Sequence, residues 1–351
     1  MNIKTIVGLV VVVMTGYMDA APNCTAFCLN NEQNLFVGKN LDWPVADGVV
    51  LVNPRNITKK ALPVEDVEPL QWTSRYGSIT FNQFGLDFPL GGMNEAGLVV
   101  EELSYSPSQY PAPDARHAVA ELQWIQYQLD NFSSVTQVIE SDAVLRPAPY
   151  LFHLHFFVAD ASGRCAVVEF LDGKRLCYTD DQLPVAVLSN NSYENSLNYL
   201  AHHVGFGGDR IVSNGPESQE RFVRAASLIQ NAPDSAGIDV AFEILKNVSQ
   251  HDTQWSIVYD LDRHHIFFSF RQSSAAFIDL HNVDFSLSSA GILCDLYPQQ
   301  PLSVNTTLAP YTDAQHAQLV KRVFQHLVDL DEVDAEDAER FILELTDYVR
   351  N

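Results

Sequence analysis

The chain has 351 residues, of which 46% are hydrophobic and 19% charged, so it is long enough for one large globular domain or two modest ones. This composition is that of a globular protein and not of a disordered one. The formal net charge of -23 at pH 7 argues against a nucleic-acid partner and against an anionic membrane surface, because the phosphates of both would repel the chain.

The first residues have the pattern of a secretory signal peptide. Residues 1–4 are polar with one positive charge, residues 6–14 are apolar, and small residues follow at 20–21. The apolar run is too short to span a bilayer, and no later stretch approaches the about 18 apolar residues that a membrane helix needs. We therefore predict a signal peptide at 1–21 and an exported protein, periplasmic or secreted, without membrane insertion. A buried N-terminal strand is the alternative.

Alternating polar and apolar residues predict many strands. Residues 25–29 and 35–39 form a predicted hairpin around a polar turn at 30–34. Further strands are predicted, in chain order, at 49–53, 78–81, 98–103, 153–159, 165–170, 174–178 and 186–188, and a second hairpin joins 254–260 to 265–270.

Apolar residues at helical spacing predict helices between these strands and at the end of the chain. The predicted helices are 118–129, 136–141 (after an N-cap sequence at 131–135), 220–230, 240–248 and an amphipathic tail at 314–350. Strands on both sides of a helical middle, without strict βαβ alternation, predict a layered α+β architecture.

The five cysteines are an odd number, so at least one thiol is unpaired within the chain. Cys165 and Cys177 lie on neighbouring predicted strands and can either pair across a hairpin or stay as two core thiols. Cys24 and Cys28 cannot pair, because four residues of extended strand separate their Cβ atoms by about 13 Å, beyond the reach of a disulfide.

Cys24 follows the predicted signal peptide after only two residues. If a propeptide at 22–23 is also removed, Cys24 supplies both a thiol nucleophile and a free α-amine that can act as its base. Such an amine needs a carboxylate or amide to hold it, and the oxyanion formed on attack needs preorganised donors. Asp42, Asn190 and Arg221, each flanked by turn or helix-start signals, are suitable groups, although spacing alone does not single them out.

The histidines offer a competing interpretation as metal ligands. They occur in pairs, and His153 and His155 share one face of a predicted strand. No cysteine or carboxylate cluster at ligand spacing accompanies any pair. We therefore expect neither a metal nor another cofactor.

Several short motifs, taken together and in order, resemble the choloylglycine hydrolase family, which includes bile salt hydrolases and penicillin V acylases. The motifs are Cys24-Thr25, then residues 38–43, 92–98, 131–135, 187–191 and 220–224, with a weaker likeness at 253–260. The resemblance implies an N-terminal-nucleophile fold, a four-layer αββα sandwich formed by a single domain at 24–351. It also implies hydrolysis of a linear amide through an acyl-enzyme.

Carried over residue by residue, the resemblance makes Cys24 the nucleophile and autoprocessing residue. Asp42 matches the carboxylate that holds the α-amine, and Asn190 matches the amide of the oxyanion hole. Arg221 matches the arginine beside the nucleophile. These four residues are the main catalytic candidates.

Two positions depart from the family pattern. Ser104 stands where bile salt hydrolases have an asparagine; the backbone N–H expected there completes the oxyanion hole and survives the change of side chain. Lys39 stands where the family usually has arginine, and a lysine keeps the charge but loses the planar fork. An electrostatic role is still expected for Lys39.

The aromatic residues Phe27, Trp43, Phe84 and Tyr105 are expected near the substrate, where they would suit an apolar acyl group. The resemblance implies a small acyl amide as substrate: phenoxyacetyl penicillins or N-acyl homoserine lactones, with conjugated bile acids as the alternative. An acyltransferase and a non-catalytic binding protein are further alternatives on the same fold. Family members are commonly dimers or tetramers, so a homo-oligomer is expected.

Overall fold

The computed structural model describes residues 23–31, 33–65, 68–271, 273–296, 303–305 and 308–349. The predicted signal peptide at 1–21 and the first propeptide residue, Pro22, lie outside the described residues.

The described strands, in chain order, are β1 (Asn23–Asn30), β2 (Leu35–Asp42), β3 (Gly48–Asn53), β4 (Thr58–Lys60), β5 (Gln71–Thr73), β6 (Ser78–Asn82), β7 (Pro89–Asn94), β8 (Val99–Ser104), β9 (His117–Ala120), β10 (Leu145–Ala148), β11 (Leu154–Ala159), β12 (Cys165–Leu171), β13 (Lys174–Thr179), β14 (Val187–Leu188), β15 (Thr253–Asp260), β16 (His265–Phe270), β17 (Ala276–Asp279), β18 (Gly291–Leu296) and β19 (Ala309–Pro310). The described α-helices are α1 (Glu121–Asn131), α2 (Val135–Glu140), α3 (Tyr193–Leu200), α4 (Ser218–Gln230), α5 (Ile238–Val248), α6 (Asp313–Asp329) and α7 (Ala335–Tyr348).

Most strands belong to two large antiparallel sheets. The first sheet has the order β14-β1-β2-β15-β16-β17, and the second has the order β13-β12-β11-β8-β7-β6-β3-β18-β19. Helices α4 and α5 pack on the outer face of the first sheet, α1 packs on the second, and β1 faces β8 and β11 across the space between the sheets. The layers therefore run helix, sheet, sheet, helix, as predicted for the α+β sandwich of an N-terminal-nucleophile hydrolase.

Large aromatic side chains fill the space between the two sheets. Phe81 on β6 packs against Trp255 and Phe268 of the opposite sheet, with ring centroids 5.8 and 5.3 Å away. Gly48 on β3 leaves room for Trp255, because a Cβ at that position would lie 2.5 Å from the indole ring. Burial of β3 on both faces explains its run of four apolar residues, Val-Val-Leu-Val.

The C-terminal helices pack on each other and on the edge of the sandwich. Phe324 of α6 stacks on Phe341 of α7 at 5.6 Å and contacts Phe84 at 5.8 Å. His316 accepts the N–H of Leu86 at Nδ1, and its Nε2 donates to the carbonyl of Leu345. One imidazole therefore joins α6, α7 and the segment before β7.

Two predicted helices have different limits in the structure. The helix predicted from residue 118 begins at Glu121, because residues 117–120 pair with β10 in a parallel ladder. The predicted continuous tail is two helices, because Asp331 adopts a left-handed φ of 57° and the side chain of Asp334 caps a new helix.

All five cysteines are free thiols. The register of β12 and β13 places Cys177 opposite Val168, three residues along from Cys165, so these two cysteines do not face each other. Of the two alternatives left open by the sequence, the structure has the unpaired thiols. Within the described residues, no helix combines the length and apolarity that crossing a bilayer requires.

Candidate active site

Cys24 lies near the start of β1, between the two sheets. Its side chain is fully buried, and its Sγ donates to Glu102 Oε1 on β8 across 3.9 Å. Cys24 is still joined to Asn23, and its backbone N–H donates a 2.8 Å hydrogen bond to Asn190 Oδ1. Burial raises the pKa of the thiol well above its ordinary value, although Lys39 opposes that rise. The thiol of the uncleaved chain is therefore protonated and needs a base before it can attack.

The guanidinium of Arg221 connects α4 to the start of β1. Its Nη1 donates to the carbonyl of Cys24 at 2.5 Å and to Thr25 Oγ1 at 2.6 Å, and its Nη2 donates to Asn190 Oδ1 at 2.7 Å. Nη1 also lies 3.9 Å from Asp42 Oδ2. Because one planar fork binds these acceptors together, it fixes both the first residues of β1 and the amide of Asn190.

Asp42 is the last residue of β2 and pairs with Asn23 in the β1–β2 ladder. Its Oδ1 accepts a 2.5 Å hydrogen bond from the hydroxyl of Thr253. Burial raises the pKa of Asp42 to about 6, and the Thr253 hydroxyl and the charge of Arg221 limit the rise. The structure thus brings Asp42 to the residue before the candidate nucleophile; its binding of a free α-amine stays a prediction.

Lys39 occupies a buried position between two carboxylates. Its Nζ lies 3.3 Å from Glu102 Oε1 and 3.6 Å from Glu101 Oε2, and it donates to the backbone carbonyl of Glu102. Burial alone would lower the pKa of Lys39, but Cys24, Glu102 and Glu101 raise it above its ordinary value. Burial raises the pKa of Glu101 to about 7, although Lys39 and the hydroxyl of Tyr259 oppose the rise. The expected electrostatic role is consistent with this placement.

Asn190 and Ser104 lie together, and their role as the two parts of an oxyanion hole stays a prediction. Asn190 Nδ2 donates to the carbonyl of Ser104 at 2.9 Å. The neighbouring Tyr105 donates its N–H to the carbonyl of His153, just beyond the paired ends of β8 and β11. Hydrogen-bonded and non-hydrogen-bonded residue pairs alternate along an antiparallel ladder. The N–H of Ser104, next to the bonded Tyr105, therefore points away from β11. In the uncleaved chain Asn190 thus holds the nitrogen of Cys24 and the carbonyl of Ser104 at once.

Comparison with known proteins identifies the family. Residues 24–290 match the model of the linear amide C-N hydrolases, choloylglycine hydrolase family. The chain belongs to the choloylglycine hydrolase family. The resemblance expected from the motifs is therefore confirmed, and the chain is a hydrolase of carbon–nitrogen bonds other than peptide bonds.

Individual relatives agree with the family assignment. The chain is 25% identical over 349 residues to a penicillin V acylase of Pectobacterium atrosepticum, covering 85% of this chain and 92% of the relative. It is also similar to the solved penicillin V acylase of Agrobacterium tumefaciens, with a TM-score of 0.70, 26% identity and coverage of 82% and 98%. A conjugated bile acid hydrolase of Clostridium perfringens, at 20% identity, a TM-score of 0.64 and coverage of 82% and 99%, shares the fold.

The aromatic residues expected at the substrate site of this choloylglycine hydrolase family member lie in different places. Tyr105 follows Ser104 directly and stacks on His155 at 5.0 Å. Trp43 follows Asp42 and packs edge-on against Phe152 at 6.2 Å. Both are therefore next in sequence to candidate catalytic positions.

Phe27 does not fit the predicted role. It is three residues from Cys24 on β1, so the two side chains leave opposite faces of the strand. The Phe27 ring lies over Gly38 of β2, where an added Cβ would be 2.3 Å from it. Phe27 is a core residue on the face away from the candidate thiol, so the structure does not bring it to Cys24. Phe84, also expected there, packs between Phe152 and Phe324.

Sequence reasoning missed three residues of the site, the buried Glu101 and Glu102 and the partly buried Thr253. The two glutamates interrupt an apolar strand, Val-Val-Glu-Glu-Leu. Two charged residues inside such a strand are a usable signal, because glutamate is rarely buried without a partner. Thr253 has no comparable signal, since threonine is common in strands.

The histidines have other partners than a metal. His155 Nδ1 lies 3.1 Å from Glu169 Oε1, and His153 Nδ1 lies 2.7 Å from the carbonyl of Ser108. Among the described residues, no three His, Cys, Asp or Glu side chains are grouped as a metal site.

Proposed function

We propose that the chain is an exported cysteine N-terminal-nucleophile amidohydrolase that cleaves the linear amide of an acylated small molecule. Cys24, once it is the first residue, attacks the amide carbonyl and forms a thioester, and water then releases the acid. The observation that carries this proposal is the buried Cys24 bound by Asn190 and Arg221, with Asp42 opposite the preceding residue, in a chain of this family.

Each candidate residue has a role in this reaction. The free α-amine of Cys24 accepts the thiol proton and returns it to the leaving amine. Asp42 holds that amine. Asn190 Nδ2 and the backbone N–H near Ser104 donate hydrogen bonds to the oxyanion. Lys39 stabilises the thiolate through its charge.

The proposed substrate is an amide with an apolar acyl group, of the penicillin V acylase or N-acyl homoserine lactone acylase type. Two relatives named as penicillin V acylases, at 25% and 26% identity, support this class. The buried aromatic residues Trp43 and Tyr105 beside the candidate catalytic positions also favour an apolar group. Export is supported by the signal-peptide pattern at 1–21.

An assay of three amides tests the proposal. Purified protein is given a phenoxyacetyl amide, an N-acyl homoserine lactone and a conjugated bile acid, and the free acid and amine are quantified. We expect hydrolysis of at least one of the first two, and a loss of at least about 10³-fold in Cys24→Ser, because the nucleophile is removed. Cys28→Ser is the matched control, since Cys28 is also buried on β1.

Other outcomes contradict the proposal. Cleavage of the bile conjugate alone would replace the proposed substrate class. Transfer of the acyl group to an added amine in preference to water would make the chain an acyltransferase. Equal activity of Cys24→Ser and the unaltered protein would remove Cys24 from the reaction.

A further inference from the structure

A buried carboxylate touches the candidate nucleophile from the opposite sheet. Glu102 lies on β8, near the middle of the nine-stranded sheet, and is fully buried. Its Oε1 accepts from Cys24 Sγ across 3.9 Å and lies 3.3 Å from Lys39 Nζ. Its Oε2 is also buried, and among the described residues it accepts no hydrogen bond. Packing does not explain a carboxylate with unused acceptor capacity beside a thiol.

In the uncleaved chain the thiol of Cys24 requires a base, and such a carboxylate can act as one. The proposed base for amide hydrolysis is the α-amine of Cys24, but this nitrogen is an amide while Asn23 is attached. Its N–H is donated to Asn190 Oδ1, and an amide nitrogen does not accept a proton at neutral pH. The thiol, whose pKa is raised by burial, therefore has no base of its own during the first cleavage.

Of the carboxylates around Cys24, Glu102 has the suitable contact. Asp42 directs Oδ1 to the Thr253 hydroxyl, and its Oδ2 lies 3.9 Å from Arg221. Glu101 is bound by the hydroxyl of Tyr259. Only the carboxylate of Glu102 receives the Cys24 thiol as a hydrogen-bond donor among the side-chain contacts of the described residues.

We propose that Glu102 is the base that takes the thiol proton of Cys24 when the residues before Cys24 are removed, an inference that rests on the proposed function. The proton passes from Sγ to Oε1, and Sγ bonds to the carbonyl carbon of Asn23. The bond between that carbon and the Cys24 nitrogen breaks, and the nitrogen takes the proton back from Glu102. Water then hydrolyses the thioester, which frees the thiol and leaves Asn23 as a carboxylate.

Lys39 makes this proton transfer feasible in a buried site. Before transfer the ammonium of Lys39 neutralises the Glu102 carboxylate at 3.3 Å. After transfer the negative charge lies on the sulfur, 3.9 Å from Glu102 Oε1. The ammonium of Lys39 still neutralises it there. No charge is separated over a long distance, so the low dielectric of the interior imposes little additional cost.

The test compares processing of Glu102→Gln with that of the unaltered full chain. Intact mass, followed over time after synthesis, gives the fraction of chains that begin at Cys24. We expect Glu102→Gln to slow this cleavage by about 10²-fold or more, the range of a lost general base. Hydrolase activity per processed chain should fall much less, because the freed α-amine is then available.

Glu101→Gln is the matched control, since Glu101 is also buried on β8 and lies 3.6 Å from Lys39. Its effect on processing should be several-fold smaller. If Glu102→Gln does not fold, Glu102→Asp replaces it as the test variant. This variant keeps a carboxylate, so its cleavage before Cys24 should be slow but measurable. Cys24→Ala should keep residues 22–23, because the attacking thiol is absent.

The outcomes separate this inference from the proposed function. Normal processing of Glu102→Gln would overturn the role of Glu102 while leaving an active amidohydrolase. If Glu102→Asp is used instead, normal processing of both Glu102→Asp and Cys24→Ala would overturn that role, because the cleavage would not need the Cys24 thiol. An unaltered chain that is active but never begins at Cys24 would instead overturn the proposed function.

Discussion

Thr253 lies at the first position of β15 and holds Asp42 by a single hydrogen bond. Its hydroxyl donates to Asp42 Oδ1 at 2.5 Å, while its oxygen accepts the N–H of Gln250 at 2.8 Å. This bond stabilises the ionised form of Asp42, whose pKa burial raises to about 6. Thr253 is therefore a positioning residue that acts through Asp42.

Thr253→Val should move the acid limb of the kcat/KM profile to higher pH. Losing the donor raises the pKa of Asp42 further, so a larger fraction of Asp42 is protonated and unable to hold the α-amine. A hydrogen bond of about 1.5 kcal/mol to a charged acceptor corresponds to a displacement of about one pH unit. Activity should fall several-fold near pH 6 and little near pH 8, measured on processed enzyme.

Ser256→Ala is the control for this prediction, because Ser256 is another hydroxyl on β15 that donates to Asn40 and not to Asp42. Its acid limb should match that of the unaltered enzyme. An unchanged acid limb in Thr253→Val would show that this hydrogen bond does not control the pKa of Asp42.

At the scale of residues, the sequence predicted those site members that belong to family motifs. Asp42, Asn190 and Arg221 are far apart in the chain, and the structure brings them around Cys24. Physical reasoning from spacing alone could not do this, because each contact depends on strand pairing or on helix packing. Phe27 is different: the alternation of side chains along β1 is sufficient to place it on the face away from Cys24.

At the scale of elements, the β1–β2 hairpin holds the candidate nucleophile. Its ladder runs without interruption from Asn23 opposite Asp42 to Asn30 opposite Leu35. The predicted hairpin with its polar turn is confirmed, because Asn31 and Asn34 close the turn by hydrogen bonds. Polar turn residues between alternating strands are a local signal, and local signals survive folding well.

Gly38→Ala should destabilise this hairpin. Its Cβ would lie 2.3 Å from the ring of Phe27, which is fully buried and cannot move away easily. Overpacking of this kind costs about 1–3 kcal/mol in the free energy of unfolding. Urea unfolding measures this change, and processing at Cys24 should slow with it because β1 is displaced.

A second substitution shows whether the clash is the cause. Phe27→Leu combined with Gly38→Ala should recover part of the lost stability, since the stability effects of substitutions at residues in contact are not additive. Gly237→Ala is the control, because its Cβ would meet only the side chain of Asp239 at 3.0 Å, which is exposed and can rotate. Equal stability of Gly38→Ala and the unaltered protein would contradict the packing described for β1 and β2.

At the scale of the whole molecule, the sandwich brings charges from both sheets to one buried point. Lys39 comes from the first sheet, and Glu101 and Glu102 come from the second. The layered α+β class could be predicted from the order of strands and helices. The stacking of β1 on β8 could not be predicted, because the local sequence of a strand does not determine which strand of the other sheet it will face.

The C-terminal region shows the same limit. Helical periodicity in the tail was predicted, but the break at Asp331 and the docking through His316 were not. The docking depends on where the sandwich offers partners: the N–H of Leu86 for His316 and the ring of Phe84 for Phe324. Periodicity therefore identifies the helices without fixing their ends or their contacts.

The central claim is that Cys24 becomes the first residue and then acts as both nucleophile and amine base. Intact-mass measurement of the purified, catalytically active protein tests it most directly, because the mass gives the first residue. We predict that active chains begin at Cys24. Active chains that retain Asn23 or any earlier residue would contradict the claim, since the amine of Cys24 would still be an amide.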